Sequence, residues 1–257
     1  MVDDGARIPA EGGSRTDLVI SNVKQMIATG ELRAGDRLPI EKELSARWGV
    51  SRGSLREGVR ALATLGVLET RQGDGTYVTQ LDPDSLLSPL GFYAELRNSD
   101  QSTDLLAVRR VLESESASLA ATRMTEIEIE SLESILSGID QVLESDDVDP
   151  EAFIDADAEF HRRIANASAN PALAAMIGSL MTRTLRARLW RAITERDSLG
   201  VAHSEHRAIL DALRTRDPER SRIRMASHLL GVEEFAAAHP SGPDGIEGTG
   251  DSEGTDD

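Results

Sequence analysis

Only five histidines occur in the 257 residues of this sequence, and three of them, with one aspartate, have the makings of a metal site. Asp157 and His161 stand four residues apart, a spacing that puts both on one face of a helix. His206 and His228 follow on two later helical stretches and complete a set of one carboxylate and three imidazoles. Such a set suits a divalent metal, Zn2+ first, with Ni2+ or Mn2+ as alternatives, and leaves positions open for water or a ligand. The residues alone leave a second reading open. Asp-x-x-x-His pairs are common, His228 fits a helix-packing role, and His206 fits a surface one. His203, one turn before His206, is a supporting group, an alternative ligand or an exposed side chain. A second run with chemistry in it is Arg52, Arg56 and Arg60, every fourth residue and so on one helical face. A guanidinium fork fits guanine O6 and N7, or phosphate. The alternative is a solvated face with Glu57 as partner.

The elements that must position these groups are nearly all helical. Hydrophobic residues make up 39% of the chain, too many for a disordered one, and aromatics only 3%, so the core is built from Leu, Ile, Val, Ala and Met. Apolar spacing at Leu18, Ile20, Val23, Met26 and Ile27 predicts a helix that stops at Gly30. After the loop LRAGDRLP come two short helices, about 40–48 and 51–65, broken at Gly49-Val50. Then VLETR and TYVTQ form a hairpin around Gln72-Gly73-Asp74-Gly75. Helix, turn, helix and hairpin make a winged helix-turn-helix, whose second helix enters the major groove. No strand pattern follows Asp84. Helical periodicity runs over 84–97, 103–123, 125–145, 150–168, 171–195, 199–215 and 217–237, with Pro150, Pro171 and Pro218 marking first turns. The fold class is therefore mostly α: a winged helix-turn-helix of three helices plus a β-hairpin wing over 14–80, and an all-α bundle of about seven helices over 84–238. Residues 1–13 and the low-complexity acidic tail 239–257 read as disordered.

Composition narrows the function classes. Cysteine is absent, which removes disulfides, thiolate metal sites and cysteine nucleophiles. No run approaches the ~20 apolar residues of a membrane span, and the acidic N-terminus lacks the apolar core of a signal peptide, so a soluble cytoplasmic protein with no membrane partner is expected. The net charge of −17 argues against nucleic acid until its distribution is read. Residues 1–80 carry 11 Lys+Arg and 11 Asp+Glu, so the whole excess lies beyond them. Lysine occurs only at 24 and 42, and arginine supplies the rest of the positive charge.

The stretch GELRAGDRLPIEKELSARWGVSRGSLREGVRALATLGVLETRQGDGTYV resembles the DNA-binding domain of the GntR family of bacterial regulators. It follows the family's G-x-L-x-P-G-D-x-L-P opening, its E-x-x-L-A, its V-S-R-x-x-V-R-E-A-L and its G-x-G-T-F-V wing, over residues 30–78 without a gap. By that resemblance Lys42, Ser51, Arg52, Ser54 and Arg56 contact DNA, and Gln72 and Gly73 belong to the wing that approaches the minor groove. Three positions depart from the pattern. Ile40 replaces a Ser or Thr and removes a helix cap. Gly53 replaces a frequent Thr. Asp74 stands at the wing tip where Arg or Lys is common, and an acid there repels phosphate.

The remainder resembles the all-helical ligand-binding domain of the FadR subgroup, known as the FCD type. LLAVRRVLESESASLAA matches the opening R-x-x-L-E helix, DAEFHRRIANASANPAL the D-x-x-x-H signature, and EHRAILDALRTRDPERSRIRMASHL the H-x-x-I…H-L ending. The resemblance implies that Asp157, His161, His206 and His228 are metal ligands and that Arg109 faces an effector pocket. Beside a metal, Arg109 suits a small carboxylate; the alternative is a salt bridge to Glu113. Asn166, Asn170 and the Arg-rich 183–191 stretch are further pocket candidates, the last reading alternatively as a solvated face that balances nearby acids. The expected function is a non-enzymatic transcriptional regulator, a repressor in the family's commoner mode. It would bind a palindromic operator as a homodimer and be released by a small organic acid at the metal. Two alternatives stand beside it: a metal-dependent hydrolase, against which no general base is poised (Glu159 points away), and a sensor of the metal itself.

Overall fold

A computed structural model describes residues 14–87, 102–144, 149–181 and 196–239 of the chain. They form two compact units, dividing after Leu86. The expected helix over 84–97 begins as a helical turn at 83–87, and its remainder lies outside the described residues, as do 182–195 and both termini.

In the first unit, α1 (Arg15–Ala28) opens on a capping box. The Ser14 hydroxyl accepts from the Asp17 amide while the Asp17 carboxylate accepts from the Ser14 amide at 2.8 Å. Val19, Val23 and Met26, spaced by turns, go into the core with Leu44, Leu55, Leu62, Leu68 and Val78. α2 (Glu41–Trp48) ends at Gly49, whose φ of 62° is the left-handed conformation that closes a helix. α3 (Arg52–Thr64) starts from Ser51, whose hydroxyl accepts from the Ser54 amide. α1 and α3 cross closely at Gly58, where a Cβ would stand 2.5 Å from Val19 Cγ1. β1 (Leu68–Arg71) and β2 (Gly75–Val78) pair antiparallel, Leu68 opposite Val78 and Arg71 opposite Gly75. The loop before α2 is more ordered than its sequence predicts. Leu38 N donates to Thr76 O at 2.8 Å and Val78 N to Asp36 O at 2.9 Å, so residues 36–38 lie along β2 as a short third rung of the wing.

The second unit is helical throughout its described residues. α4 (Ser102–Arg123), α5 (Glu126–Leu143), α6 (Pro150–Ala167), α7 (171–181), α8 (Arg196–Arg214) and α9 (Pro218–Ala238) follow in order. Asp149 and Asp217 cap α6 and α9 just ahead of their first-turn prolines, and Thr125 with Glu128 makes a capping box on α5. Leu132, Leu136 and Ile139 of α5 meet Phe153, Phe160 and Ile164 of α6, with Leu210 and Leu213 of α8 and Met225 and Leu229 of α9 closing the core. α4 contributes Ala117, Ala120 and Ala121, small enough to let neighbouring helices come close. Among the described residues no helix is long and apolar enough to cross a membrane.

Candidate metal centre and nucleic-acid interface

The bundle brings Asp157, His161, His206 and His228 together from three helices, all buried, with one ligand atom from each within 4.8 Å of every other. The i, i+4 spacing on α6 aims Asp157 and His161 the same way, and their Oδ1 and Nε2 are 3.8 Å apart. His206 Nε2 lies 3.2 Å from Asp157 Oδ1 and 3.1 Å from His228 Nε2. Ligands about 2.1 Å from one ion stand roughly 3.0–3.4 Å from each other, so the two His206 separations match a shared cation and the Asp157–His161 pair is a few tenths of an ångström wider. Phe160 packs against the His206 ring, centroids 4.9 Å apart, and supplies an apolar wall.

Two carboxylates behind the imidazoles were not singled out by the sequence as parts of this centre. Glu113 of α4 accepts a hydrogen bond from His161 Nδ1, and Glu205 accepts one from His228 Nδ1 at 2.9 Å. A neutral ring that donates through Nδ1 turns its Nε2 inward as an acceptor, the arrangement that binds metal. His161 Nε2 is buried with no hydrogen-bond partner. Burial, reinforced by the neighbouring His228, lowers the basicity of His206, and burial likewise lowers that of His228, so both favour the neutral form that ligation needs. The residues present thus fit a divalent cation. The only sequence trace of the supporting acids is the last letter of R-x-x-L-E for Glu113, and adjacency to His206 for Glu205.

Arg109 is wholly buried and its Nε donates to Glu113, which in turn holds His161. The salt bridge weighed from the sequence is thus present, and it links Arg109 to the four-residue cluster. Asn166 is not brought there. It is exposed, because five residues past His161 is about 140° around a helix of 3.6 residues per turn. Asn170 instead caps α7, accepting from Leu173 N at 3.2 Å. His203 is neither exposed nor one of the four; its Nε2 meets Asp140 at 2.6 Å. Glu159 faces Arg162 and Arg163, as expected of a residue pointing away. The 183–191 stretch lies outside the described residues.

On the first unit, Lys42, Ser51, Arg52, Arg56, Gln72 and Gly73 are exposed and Ser54 is half-buried beneath Ser51. The partner weighed for the arginine face is different from the one observed. Arg56 pairs with Glu41 of α2, Nε to Oε1 at 3.0 Å, while Glu57 accepts from Thr16 at 3.0 Å. No ion pair involves Arg52 or Lys42 among the described residues.

Comparison with known proteins decides what this pairing of units is. Residues 16–78 match the family model described as bacterial regulatory proteins, gntR family, and residues 104–231 match the FCD domain. The chain is 31% identical over 219 residues to the HTH-type transcriptional regulator LutR of Bacillus subtilis, across 83% of this chain and 97% of that protein. The chain belongs to the GntR family, with an FCD domain. The regulator is also 29% identical over 231 residues to the HTH-type transcriptional repressor NanR of Cronobacter sakazakii, across 88% of this chain and 86% of that one. Among solved structures it resembles a Streptococcus agalactiae GntR protein, with a TM-score of 0.57 and 30% identity, over 85% of this chain and 99% of that one. The family and these relatives are transcriptional regulators and not enzymes, which removes the hydrolase alternative. The first unit is a DNA-binding head.

Proposed function

We propose that this regulator represses from a palindromic operator as a homodimer and releases it when a small organic acid occupies a divalent-metal site in the bundle, Zn2+ being the best fit. The observation that carries the reading is the convergence of Asp157 Oδ1 with Nε2 of His161, His206 and His228, backed by Glu113 and Glu205. A bound metal supplies a Lewis-acid point for a carboxylate oxygen. Asp157 balances part of its charge, Glu113 and Glu205 hold the imidazole tautomers, and Arg109 extends positive charge beside the cluster. On the head, Arg52 at the start of α3 reads a base or phosphate, Lys42, Ser51, Ser54 and Arg56 fix the helix on the backbone, and Gln72 and Gly73 bring the wing in. The repressor sense draws support from the name of NanR.

The test is titration of the purified protein onto duplexes recovered by random-sequence selection, at fixed salt, with and without a panel of small carboxylates, alongside a metal assay. Arg52→Ala should weaken DNA binding and leave metal content intact. His161→Ala should lose the metal and the carboxylate response while the head still binds DNA. A response that persists in His161→Ala would sink the metal-centred part of the reading, and failure to recover any preferred duplex would sink the operator part.

A further inference from the structure

The wing of this regulator departs from its family at the tip. Asp74 occupies the place where a basic residue is common, in the same exposed turn as Gln72 and Gly73. Asp74 does not stand there as a lone acid, because the Tyr77 hydroxyl donates to its Oδ2 at 2.8 Å. Arg71, the cation nearest in sequence, is committed as well. It pairs with Glu69 and lies 4.2 Å from the centre of the Tyr77 ring.

Arg37 is differently placed. Its backbone bridges to Tyr77 through the short rung of residues 36–38, which fixes where the side chain starts. From there Nη2 donates to the main-chain carbonyl of Asp74, so the guanidinium lies against the wing tip. The turn leaves room for it. A Cβ on Gly75 would stand 2.6 Å from Arg37 Nε, and Gly75 has none. A carbonyl is neutral, so this contact orients the guanidinium without cancelling its charge. Arg47, Arg56 and Arg71 of the same unit all face carboxylates, whereas no ion pair involves Arg37 among the described residues.

We propose that Arg37 is the wing's phosphate-contacting residue, a cation delivered from the loop before α2 to the tip where Asp74 stands in place of a basic residue. The two residues are 37 positions apart in the chain, so nothing in the local pattern of the wing announces the substitution. The consequence is electrostatic. A guanidinium held at the tip neutralises a backbone phosphate and displaces its counterion, so it contributes to the salt dependence of binding on any duplex. Base preference is left to α3.

The test is binding of the full-length protein to the selected duplex and to a mixed-sequence duplex of equal length across a salt series. Arg37→Gln should weaken binding to both roughly tenfold at low salt and flatten log K against log[salt] by about 0.9 for each head engaged. Arg37→Lys, which keeps the charge, should restore most of the slope. Arg37→Gln combined with Asp74→Arg should restore it as well, by returning the charge to the tip. The melting temperature of each variant is read in parallel. An unchanged slope in Arg37→Gln overturns the proposal. So does a loss that accompanies a lowered melting temperature and is rescued by neither second variant, because that marks Arg37 as a staple of the wing. Absence of DNA binding by the unmodified protein would strike at the regulator itself, a distinct outcome.

Discussion

The two units place charge in opposite ways. The head keeps its described ion pairs on the surface: Arg47 with Glu31, Arg56 with Glu41 and Arg71 with Glu69, all around half exposed, over a core of Val, Leu and Met alone. The bundle carries ionisable groups in its interior. Arg109, Glu113, Asp157, His161, His206 and His228 are all buried, Arg109 and His206 at 0% exposure. Surface pairs contribute little to stability, whereas a buried charge must be matched or the fold suffers. The head is thus held by apolar packing and helix caps, with its arginines turned outward toward a polyanion. The bundle accepts a polar interior that packing alone would not favour, and the arrangement makes sense if a cation and an anion are to be received there.

The sharpest way to break that contrast is Glu113→Ala. It leaves Arg109 buried without its carboxylate and releases His161 Nδ1. Truncating one partner of a buried pair costs about 3–5 kcal/mol, so denaturant unfolding of the bundle should shift by that much while the head's binding to DNA is unaltered. A loss below about 1 kcal/mol would mean the interior is wet and the two units are alike.

Acid should separate the units next. Burial by itself raises the Glu113 carboxyl, but Arg109 and His161 override it and hold the group well below the usual carboxylate range. Glu133 is lowered by Arg207 and Arg214, and Asp140, despite some desolvation, by His203 and Arg207. Groups whose pKa is lower folded than unfolded stabilise above the unfolded value, about 4 for carboxylates, and lose that contribution as pH falls. In the head, Asp17 and Glu31 are lowered too, by Ser14 and by Arg47, but they stand in solvent, as Glu133 and Asp140 of the bundle largely do, so the difference between the units rests on buried Glu113. Thermal melts between pH 5 and pH 3 should therefore show the bundle weakening more than the head. Added salt should blunt the head's response and leave the bundle's largely in place. Equal acid sensitivity of both transitions would contradict the comparison.

Much of both units was legible because it rests on local rules. Pro150 and Pro218 behind Asp149 and Asp217, Gly49 after α2 and the apolar spacing of α1 all encode short-range geometry, and the helices fall where these signals put them to within a few residues. The Asp157–His161 spacing is equally local. What the sequence hid is pairing across long separations. Glu113 reaches His161 over 48 residues and Arg56 chooses Glu41 across 15, over a nearer Glu57, because α2 packs on α3. The rung of residues 36–38 on β2 has no periodicity to betray it. Asn166 lies apart from the cluster for a different reason. It is near Asp157 and His161 in sequence, but the helical angle carries it to the far side of α6.

Two smaller effects sharpen the claim that packing and caps hold the head. In Gly58→Ala the new methyl would meet Val19 Cγ1 at 2.5 Å and Cβ at 2.7 Å, and neither is the loose end of a flexible side chain. Helix propensity favours alanine by about 1 kcal/mol, but overpacking at a helix crossing costs typically 1–3 kcal/mol, so a net destabilisation of the head is expected on thermal melting. A stabilised variant would show that α1 can retreat from α3 without loss.

Ile40→Ser is the mildest change, and its sign is opposite. Ile40 sits at the N-cap of α2 with φ −61° and ψ 148°, the extended geometry of a cap, makes no side-chain cap bond, and leaves its apolar side chain 56% exposed. Serine would present an oxygen to the amide of Glu43, and Glu43, three residues on, is placed to answer the amide of residue 40 in a capping box. The gain should be about 0.5–1 kcal/mol, at the low end because the Glu43 amide already reaches the Ile40 carbonyl at 2.9 Å. Lys42 rides on the same first turn, so a firmer start to α2 should tighten DNA binding slightly as well as raise the head's melting temperature. A rise in melting temperature with no change in affinity would place Lys42 off the DNA, whereas a rise in neither would mean that the carbonyl contact alone already satisfies this end of the helix.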